Sequence, residues 1–133
     1  MPTAEILFVD DEPDVLALAV MTLREAGYGV QPAPNGDIAL VLLSQGLTFE
    51  LLITDVVMPG ILDGFALARR ARELLPGLPI LYTTGFSRVA SIRAPGAPYG
   101  RTLPKPWRPS QLLEIIRTLL PRPAARAKNL PAL

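Results

Sequence analysis

The stretch ILFVDDEPD, residues 6–14, decides how this sequence folds. Four apolar residues lead directly into Asp10, Asp11 and Glu12, and Asp14 follows two positions later. A short apolar run is typical of a strand buried inside a parallel sheet. Two carboxylates about 4 Å apart repel each other by roughly 4 kcal/mol at an effective dielectric constant near 20. The end of this strand is therefore either well solvated or built to receive a cation.

The composition suits one folded domain. The chain has 133 residues, of which 50% are hydrophobic and 19% are charged. It contains no cysteine and no histidine, so it supplies no thiolate or imidazole ligand, no histidine base and no phosphohistidine of its own. We find neither a secretion signal nor an apolar run of the roughly 20 residues that span a bilayer. We therefore expect a cytoplasmic protein that does not act at a membrane.

The charges are segregated along the chain. Residues 1–63 contain ten acidic residues and one basic residue, whereas residues 64–133 contain twelve basic and two acidic residues. The basic half lacks the interleaved aromatic residues of single-strand binders and any helix-turn-helix pattern. A solvated basic surface is the simpler interpretation, and we predict that this chain does not bind DNA.

Short apolar runs alternate with helical periodicity. Strands are predicted at residues 5–10, 29–33, 50–55, 79–84 and 100–105, and helices from Pro13 to a stop at Gly27, from Asn35 to Leu43, over 63–75 and over 109–120. Strands and helices that alternate through short connections form right-handed βαβ units and a parallel sheet. The predicted fold is α/β, a flavodoxin-like three-layer sandwich with the strand order 2-1-3-4-5 and the proline-containing second strand at an edge.

Two segments depart from this regular alternation. Prolines and glycines interrupt the span 87–100, so we predict a shortened or irregular fourth helix between the fourth and fifth strands. Residues 121–133 contain three basic residues, three prolines and no acidic residue. We predict one domain over residues 1–120, followed by a flexible, basic tail rich in proline and alanine over 121–133.

Polar side chains end the strands that surround the centre of the predicted sheet. Asp10 and Asp11 end the first strand, and Asp55 ends the third, which is its neighbour. Ligands of such sheets bind beyond the carboxyl ends of these strands, and carboxylates with room for water are typical of a Mg²⁺ site. Thr84 and Lys105 end the fourth and fifth strands at the same edge. A carboxylate nucleophile, a divalent cation, a hydroxyl and an ammonium group are the parts that receive a phosphoryl group.

Four motifs follow one another along the chain: VDDEP, ITDVVMPG followed by DG, YTTG, and LPKPW. As a set they resemble the receiver domain of two-component response regulators, which is CheY-like in fold, over about residues 4–120. Any one of these motifs would be weak evidence, but the set is specific. The loop MPGILDG has one residue more than the usual motif and resembles the receivers of hybrid sensor histidine kinases.

The resemblance implies catalytic roles for three residues. Asp55 corresponds to the phosphoacceptor, Thr84 to the switch hydroxyl, and Lys105 to the lysine that pairs with the phosphoryl group. The peptide bond between that lysine and the next proline is usually cis in this family. Thr83 precedes the hydroxyl position and is expected to face the other way. The aromatic switch position of the family is Thr102 here, so we predict that activation does not pass through a rotating ring.

The resemblance also implies the magnesium ligands. Asp11 and Asp55 correspond to direct Mg²⁺ ligands, Asp10 to a ligand that acts through water, and the Val57 carbonyl to a backbone ligand. The Val57 side chain is apolar and cannot position a water molecule, so we predict slow self-hydrolysis of the phosphorylated form.

A receiver obtains its phosphoryl group from a histidine kinase or a histidine phosphotransfer protein. This chain lacks histidine, so the donor must act in trans. We expect a single-domain receiver, or the receiver piece of a longer system, whose output lies in a partner. Leu113 and Leu120 flank the apolar stripe of the last helix and suit either a protein interface, such as that of a homodimer, or packing under the tail. Trp107 suits a core position and a docking surface equally.

Three other functions are alternatives. A degenerate receiver would be a protein-docking module without phosphorylation. A phosphatase of the haloacid-dehalogenase type also uses an aspartate at a strand end, but it needs an acid two residues later, where this chain has Val57. A flavodoxin-like cofactor carrier needs a phosphate cradle after the first strand, where this chain has acids. We therefore expect no enzyme activity beyond self-catalysed phosphorylation and dephosphorylation.

Overall fold

The structure is a computed structural model that describes residues 5–85 and 100–120. In chain order it contains β1 (Glu5–Val9), α1 (Pro13–Glu25), β2 (Gly29–Ala33), α2 (Gly36–Ser44), β3 (Leu51–Asp55), α3 (Gly64–Leu74), β4 (Ile80–Gly85), β5 (Arg101–Lys105) and α4 (Pro109–Leu119). These bounds match the predicted strands and helices closely. The irregular helix predicted between the fourth and fifth strands and the predicted tail lie outside the described residues.

All five described strands form one parallel sheet in the order β2-β1-β3-β4-β5. This order confirms the flavodoxin-like prediction, including the position of β2 at an edge. Pro32 is tolerated there because an edge strand needs hydrogen bonds on one side only. In the centre, Val9 of β1 pairs with Thr54 of β3. The next residues, Asp10 and Asp55, therefore lie side by side at the carboxyl ends of these two strands.

Helices cover both faces of the sheet. Helices α1 and α4 pack on the face that carries Phe8, Ile53, Leu81 and Leu103, which we call the α1–α4 face. Helices α2 and α3 pack on the opposite face, which carries residues such as Leu7, Val9 and Leu52. Each central strand thus buries both of its faces, as expected for a parallel sheet. Within the described residues, no helix is long and apolar enough to cross a lipid bilayer.

The ends of the helices follow from local sequence signals. Pro13 occupies the first turn of α1, where a missing N–H is harmless, and Gly27 follows the helix with a φ of +96°, which favours glycine. The Asn35 side chain accepts a hydrogen bond of 2.8 Å from the backbone of Ile38 at the start of α2. Asp63 caps α3 in the same way. Both caps were predicted from the sequence.

The structure favours packing over an interface for Leu120, at the end of helix α4. Leu120 is only 4% exposed and belongs to the core cluster of the α1–α4 face, and Leu113 is half-buried against the same cluster. Leu120 follows Ile116 by four residues, which places it over the same core-facing stripe. It is therefore a core residue and unavailable to a homodimer interface. The dimer itself stays a prediction.

Candidate functional site

The described strands bring four polar side chains to one end of the α1–α4 face. These polar residues are Asp10, Asp55, Thr83 and Lys105. Two positions before each of them lies an apolar residue in the core of that face, in the same order Phe8, Ile53, Leu81 and Leu103. Side chains of a strand alternate between faces, so residues two apart share a face. Four different strands therefore contribute two carboxylates, one hydroxyl and one ammonium group to a common edge.

Asp10, Asp11 and Asp55 form an acidic cluster at this edge. Each offers one carboxylate oxygen, and these oxygens lie within 4.8 Å of one another. Asp10 is fully buried and Asp55 is buried, whereas Asp11 is exposed to solvent. The structure thus brings together the three acids that the sequence placed here. Hard oxygen ligands at this spacing, with one side open to water, fit a Mg²⁺ ion.

Lys105 is the counter-ion of the acidic cluster. Its Nζ lies 2.8 Å from Oδ2 of Asp55 and 2.9 Å from Oδ2 of Asp10. A third carboxylate, that of Glu12, lies 3.5 Å from the same nitrogen. One ammonium group therefore bridges the ends of β1 and β3 and offsets the repulsion between their carboxylates. The Lys105–Pro106 bond is cis, as the resemblance implied.

Burial and charge change the proton affinities of Asp10 and Lys105. Burial raises the pKa of Asp10, and the neighbouring Lys105 only partly offsets the effect. Burial alone would lower the pKa of Lys105. Hydrogen bonds and charge attraction to Asp55 and Asp10 outweigh it and hold the Lys105 pKa above its ordinary value. Lys105 is thus a cation at neutral pH.

Backbone contacts hold the acidic side chains in place. Oδ1 of Asp10 accepts a hydrogen bond of 2.9 Å from the backbone of Glu12. Oδ1 of Asp55 accepts one of 3.3 Å from the backbone of Val57. Each of these acids therefore keeps one oxygen on the backbone and the other on Lys105. The carboxylates are oriented before any ligand arrives.

Gly64, the first residue of α3, packs directly against the end of β3. A Cβ atom at this position would lie 2.1 Å from the carbonyl oxygen of Asp55 and 2.8 Å from the Cα atom of Val56. The backbone of Gly64 also donates a hydrogen bond of 2.8 Å to the Val56 carbonyl. This close approach needs glycine because any side chain would displace the backbone that carries Asp55. The glycine of the DG motif thus has a steric role.

Thr83 and Thr84 lie on opposite faces of β4. Thr84 is buried near the carboxyl end of the strand, as predicted, but forms no hydrogen bond with Asp55 or Lys105 in the described part of the chain. Thr83 is the register partner of Asp55. The expectation that Thr83 faces away from the site is therefore wrong, because register partners in a parallel sheet share a face and Thr83 lies on the face that carries Asp55. The roles assigned to Thr84 stay predictions.

Trp107 is a core residue that also borders a groove. It is 7% exposed, and its ring centroid lies 6.2 Å from that of Phe8 in an edge-to-face arrangement. The groove has a volume of about 360 Å³ and is lined by Glu12, Val15, Leu18, Lys105, Pro106 and Trp107. Both interpretations of Trp107 therefore have structural support. Two apolar side chains in the loop after β3 are also exposed to solvent, Val57 at 61% and Ile61 at 89%.

The positions of two residues in the site, Glu12 and Thr83, were not predicted from the sequence. Glu12 was counted among the clustered acids, but its contact with Lys105 depends on the relative position of two segments far apart in the chain. The place of Thr83 beside Asp55 depends on the register of β3 and β4. One signal could have indicated that Thr83 and Asp55 share a face: each follows a buried apolar residue, Leu81 or Ile53, by two positions.

The fold and the site together define an α/β protein with an acidic pocket at the carboxyl edge of a parallel sheet. The family model of the response regulator receiver domain matches residues 6–117. The chain belongs to the response regulator receiver domain family of two-component systems. The resemblance inferred from the four motifs is thereby confirmed.

The known proteins similar to this chain are matched over almost their whole length. Response regulator receiver protein CpdR of Brucella abortus is 40% identical over 116 residues, which are 86% of this chain and 95% of that protein. The receiver domain of the hybrid histidine kinase CckA is 36% identical, with a TM-score of 0.75 over 88% of this chain and 99% of that chain. Response regulator TrrA of Thermotoga maritima, solved with Mg²⁺ and BeF, is 32% identical, with a TM-score of 0.78 over 89% and 100% of the two chains.

Proposed function

We propose that this receiver domain is a phosphoacceptor switch or relay that carries a phosphoryl group on Asp55. One observation supports the proposal above all others. Nζ of Lys105 lies 2.8 Å from Asp55, inside a cluster of carboxylates whose oxygens lie within 4.8 Å of one another. A nucleophile, a fixed cation and a set of metal ligands then share one pocket. This combination matches what phosphoryl transfer requires.

The proposed cofactor is Mg²⁺. Asp11 and Asp55 would bind it directly, Asp10 through water, and Val57 through its backbone carbonyl. When bound, the ion supplies positive charge that neutralises the phosphoryl oxygens. The presence of Mg²⁺ in the similar protein TrrA agrees with this assignment. The exposure of Asp11 provides an open side through which the ion and its water can enter.

In the proposed reaction, a carboxylate oxygen of Asp55 attacks the phosphorus of a phosphohistidine. A phosphorus–oxygen bond forms and the phosphorus–nitrogen bond breaks, so that the electron pair returns to the donor imidazole, which then takes up a proton. The ammonium group of Lys105 lies beside Asp55 and stabilises the charge on the phosphoryl oxygens. After transfer, the Thr84 hydroxyl would shift to bind one of those oxygens, because Thr84 lies on the face of β4 opposite to Asp55 before phosphorylation.

The proposed donor is a histidine kinase or a histidine phosphotransfer protein. The chain contains no histidine, so it cannot supply a phosphohistidine in cis. The proposal includes a cytoplasmic location, where such a donor presents its phosphohistidine. It also includes output through a partner protein rather than through DNA binding, and no turnover of external substrates.

Incubation with acetyl phosphate and Mg²⁺ tests the proposal. The wild type should gain the mass of one phosphoryl group, and the adduct should be stable in acid and labile in base. Asp55→Asn should remain unmodified. Asp63→Asn is a matched control, since Asp63 is an exposed helix cap eight residues away and an amide oxygen keeps the cap. An unmodified wild type would overturn the assignment.

The second candidate is a degenerate receiver that docks to a partner without phosphorylation. Trp107 is the only tryptophan of the chain, is buried, and follows Lys105 by two residues, so its fluorescence reports on the pocket. Titration of the protein with Mg²⁺ should quench or shift this fluorescence in a saturable way if the pocket is functional. The docking module has no need to bind the ion and should give a flat titration. The complete acidic cluster favours the phosphorylated switch.

A further inference from the structure

Thr83 carries a buried hydroxyl to which no described residue is hydrogen-bonded. The residue is fully buried, and its Oγ1 has no hydrogen-bond partner among the described residues. The adjacent Thr54 of β3 is equally buried, but its hydroxyl donates a hydrogen bond of 2.9 Å to the carbonyl of Asp55. A buried polar group without a partner destabilises the folded state. Valine would fill the same space without that cost, so the hydroxyl needs an explanation.

The position of Thr83 suggests where a partner could appear. Thr83 is the register partner of Asp55 on β3 and of Leu103 on β5. Register partners in a parallel sheet lie about 4.8 Å apart and project their side chains to the same face. Lys105 follows Leu103 by two residues and reaches across β4 to Asp55 at 2.8 Å. The unpaired hydroxyl therefore lies between the strands that carry the nucleophile and its counter-ion.

The oxygens of Asp55 have other partners before phosphorylation. Oδ1 accepts from the backbone of Val57, and Oδ2 is bound by Lys105. A phosphoryl group on Asp55 would add three strong acceptor oxygens to this crowded edge. A hydroxyl on the neighbouring strand, already buried and already desolvated, could then donate to the enlarged side chain without losing a bond to water. Its energetic cost in the free protein becomes a gain in the phosphorylated one.

We propose that Thr83 is a positioning residue of the phosphorylated state, whose hydroxyl is unpaired beside free Asp55 and donates a hydrogen bond to phosphorylated Asp55. The inference rests on the proposed function of Asp55. It assigns a role to Thr83, which immediately precedes Thr84 and lies on the opposite face of β4. Thr83 acts through the geometry of the Asp55 side chain and takes part in no bond that forms or breaks.

The test uses beryllium fluoride with Mg²⁺ as the probe of the phosphorylated state. Thr83→Val removes the hydroxyl and keeps the shape, whereas Thr83→Ser keeps the hydroxyl. In the free protein, Thr83→Val should raise the midpoint of thermal unfolding by about 3–5 °C, because it removes an unsatisfied group. Thr54→Val is the matched control and should lower the midpoint, since Thr54 loses a hydrogen bond that it already makes.

Affinity for the probe separates a positioning role from a merely structural one. Thr83→Val should bind beryllium fluoride about 5–10-fold more weakly than the wild type, while Thr83→Ser should bind it about equally well. Equal affinity of Thr83→Val and the wild type would overturn the role of Thr83 and leave the proposed function intact. A wild type that shows no response to Mg²⁺ with beryllium fluoride would instead overturn the proposed function, and the role of Thr83 with it.

Discussion

Lys105 and Asp55 are 50 residues apart in the chain, and the lysine nitrogen lies 2.8 Å from the aspartate oxygen. The same nitrogen lies 2.9 Å from Asp10, which is fully buried. Lys105 is thus the internal cation that allows two strands to end in carboxylates at one place. A bound metal ion would approach the same carboxylates, so the lysine and the metal compete for part of their charge. Several properties of the protein follow from this relationship.

Replacement of Lys105 should separate its structural role from metal binding. Lys105→Met leaves Asp10 and Asp55 without their cation, so we expect a loss of roughly 2–3 kcal/mol in the free energy of unfolding without divalent ions. The affinity for Mg²⁺ should rise, because the competing ammonium group is gone. Urea unfolding at neutral pH and Mg²⁺ titration measure the two effects.

Arg70→Met is the matched control for the loss of a cation. Arg70 forms an exposed ion pair of 3.4 Å with Glu73 on α3. Exposed pairs of this kind contribute little, so neither stability nor metal affinity should change appreciably. If Lys105→Met unfolds like Arg70→Met, the lysine does not stabilise the acidic cluster.

Neutralisation of Asp10 should stabilise the metal-free protein. Burial raises the pKa of Asp10, which means that the fold disfavours its ionised form relative to the unfolded chain. Asp10→Asn should therefore increase the unfolding free energy at neutral pH and weaken Mg²⁺ binding. The gain should disappear below about pH 4, where the carboxyl group is protonated in both the folded and unfolded states. Asp11→Asn, at an exposed position, should weaken Mg²⁺ binding without the gain in stability.

The stability contributed by Lys105 should be lost at alkaline pH. Its pKa is held above the ordinary value by Asp55 and Asp10, so its favourable contribution is complete below about pH 10 and declines as the pH rises through the folded-state pKa. The difference in unfolding free energy between the wild type and Lys105→Met should therefore shrink in alkaline solution. A difference that stays constant from neutral to strongly alkaline pH would contradict the ion-pair interpretation.

Gly64→Ala should disrupt the site from outside it. The added Cβ would lie 2.1 Å from the Asp55 carbonyl oxygen, so the end of β3 must move. We expect a loss of about 2–3 kcal/mol in stability and weaker Mg²⁺ binding. Gly85→Ala is the control, because no atom of the described residues lies within 4 Å of the added Cβ. Gly64→Ala should therefore have a lower midpoint of thermal unfolding and a lower Mg²⁺ affinity than Gly85→Ala.

The phosphorylated form should be long-lived because Val57 offers no group to orient a water molecule. Val57→Asn introduces such a group two residues after Asp55 and should accelerate dephosphorylation by roughly tenfold. Ile61→Asn places the same amide in the same loop, at a side chain that is 89% exposed, and should leave the rate unchanged. The decay of the phosphorylated mass after removal of acetyl phosphate measures both. A wild-type half-life of seconds would contradict the prediction.

Much of the fold could be predicted from local patterns. The caps Asn35 and Asp63, the proline at the start of α1 and the edge position of β2 all follow from neighbouring residues. Local signals were insufficient at Leu120, whose burial depends on how the last turn of α4 meets the core. They were also insufficient for Thr83, since the face that it shares with Asp55 depends on strand register.

By itself, the sequence determined the parallel sheet, its strand order and the identity of the acids at its edge, because each depends on periodicity and on residues close together in the chain. Only the tertiary structure decided which groups meet: Lys105 with Asp10 and Asp55, Gly64 with the end of β3, and Thr83 with Asp55. Contacts between distant segments depend on register and packing to within about 1 Å, and the spacing of residues along a chain does not specify such distances.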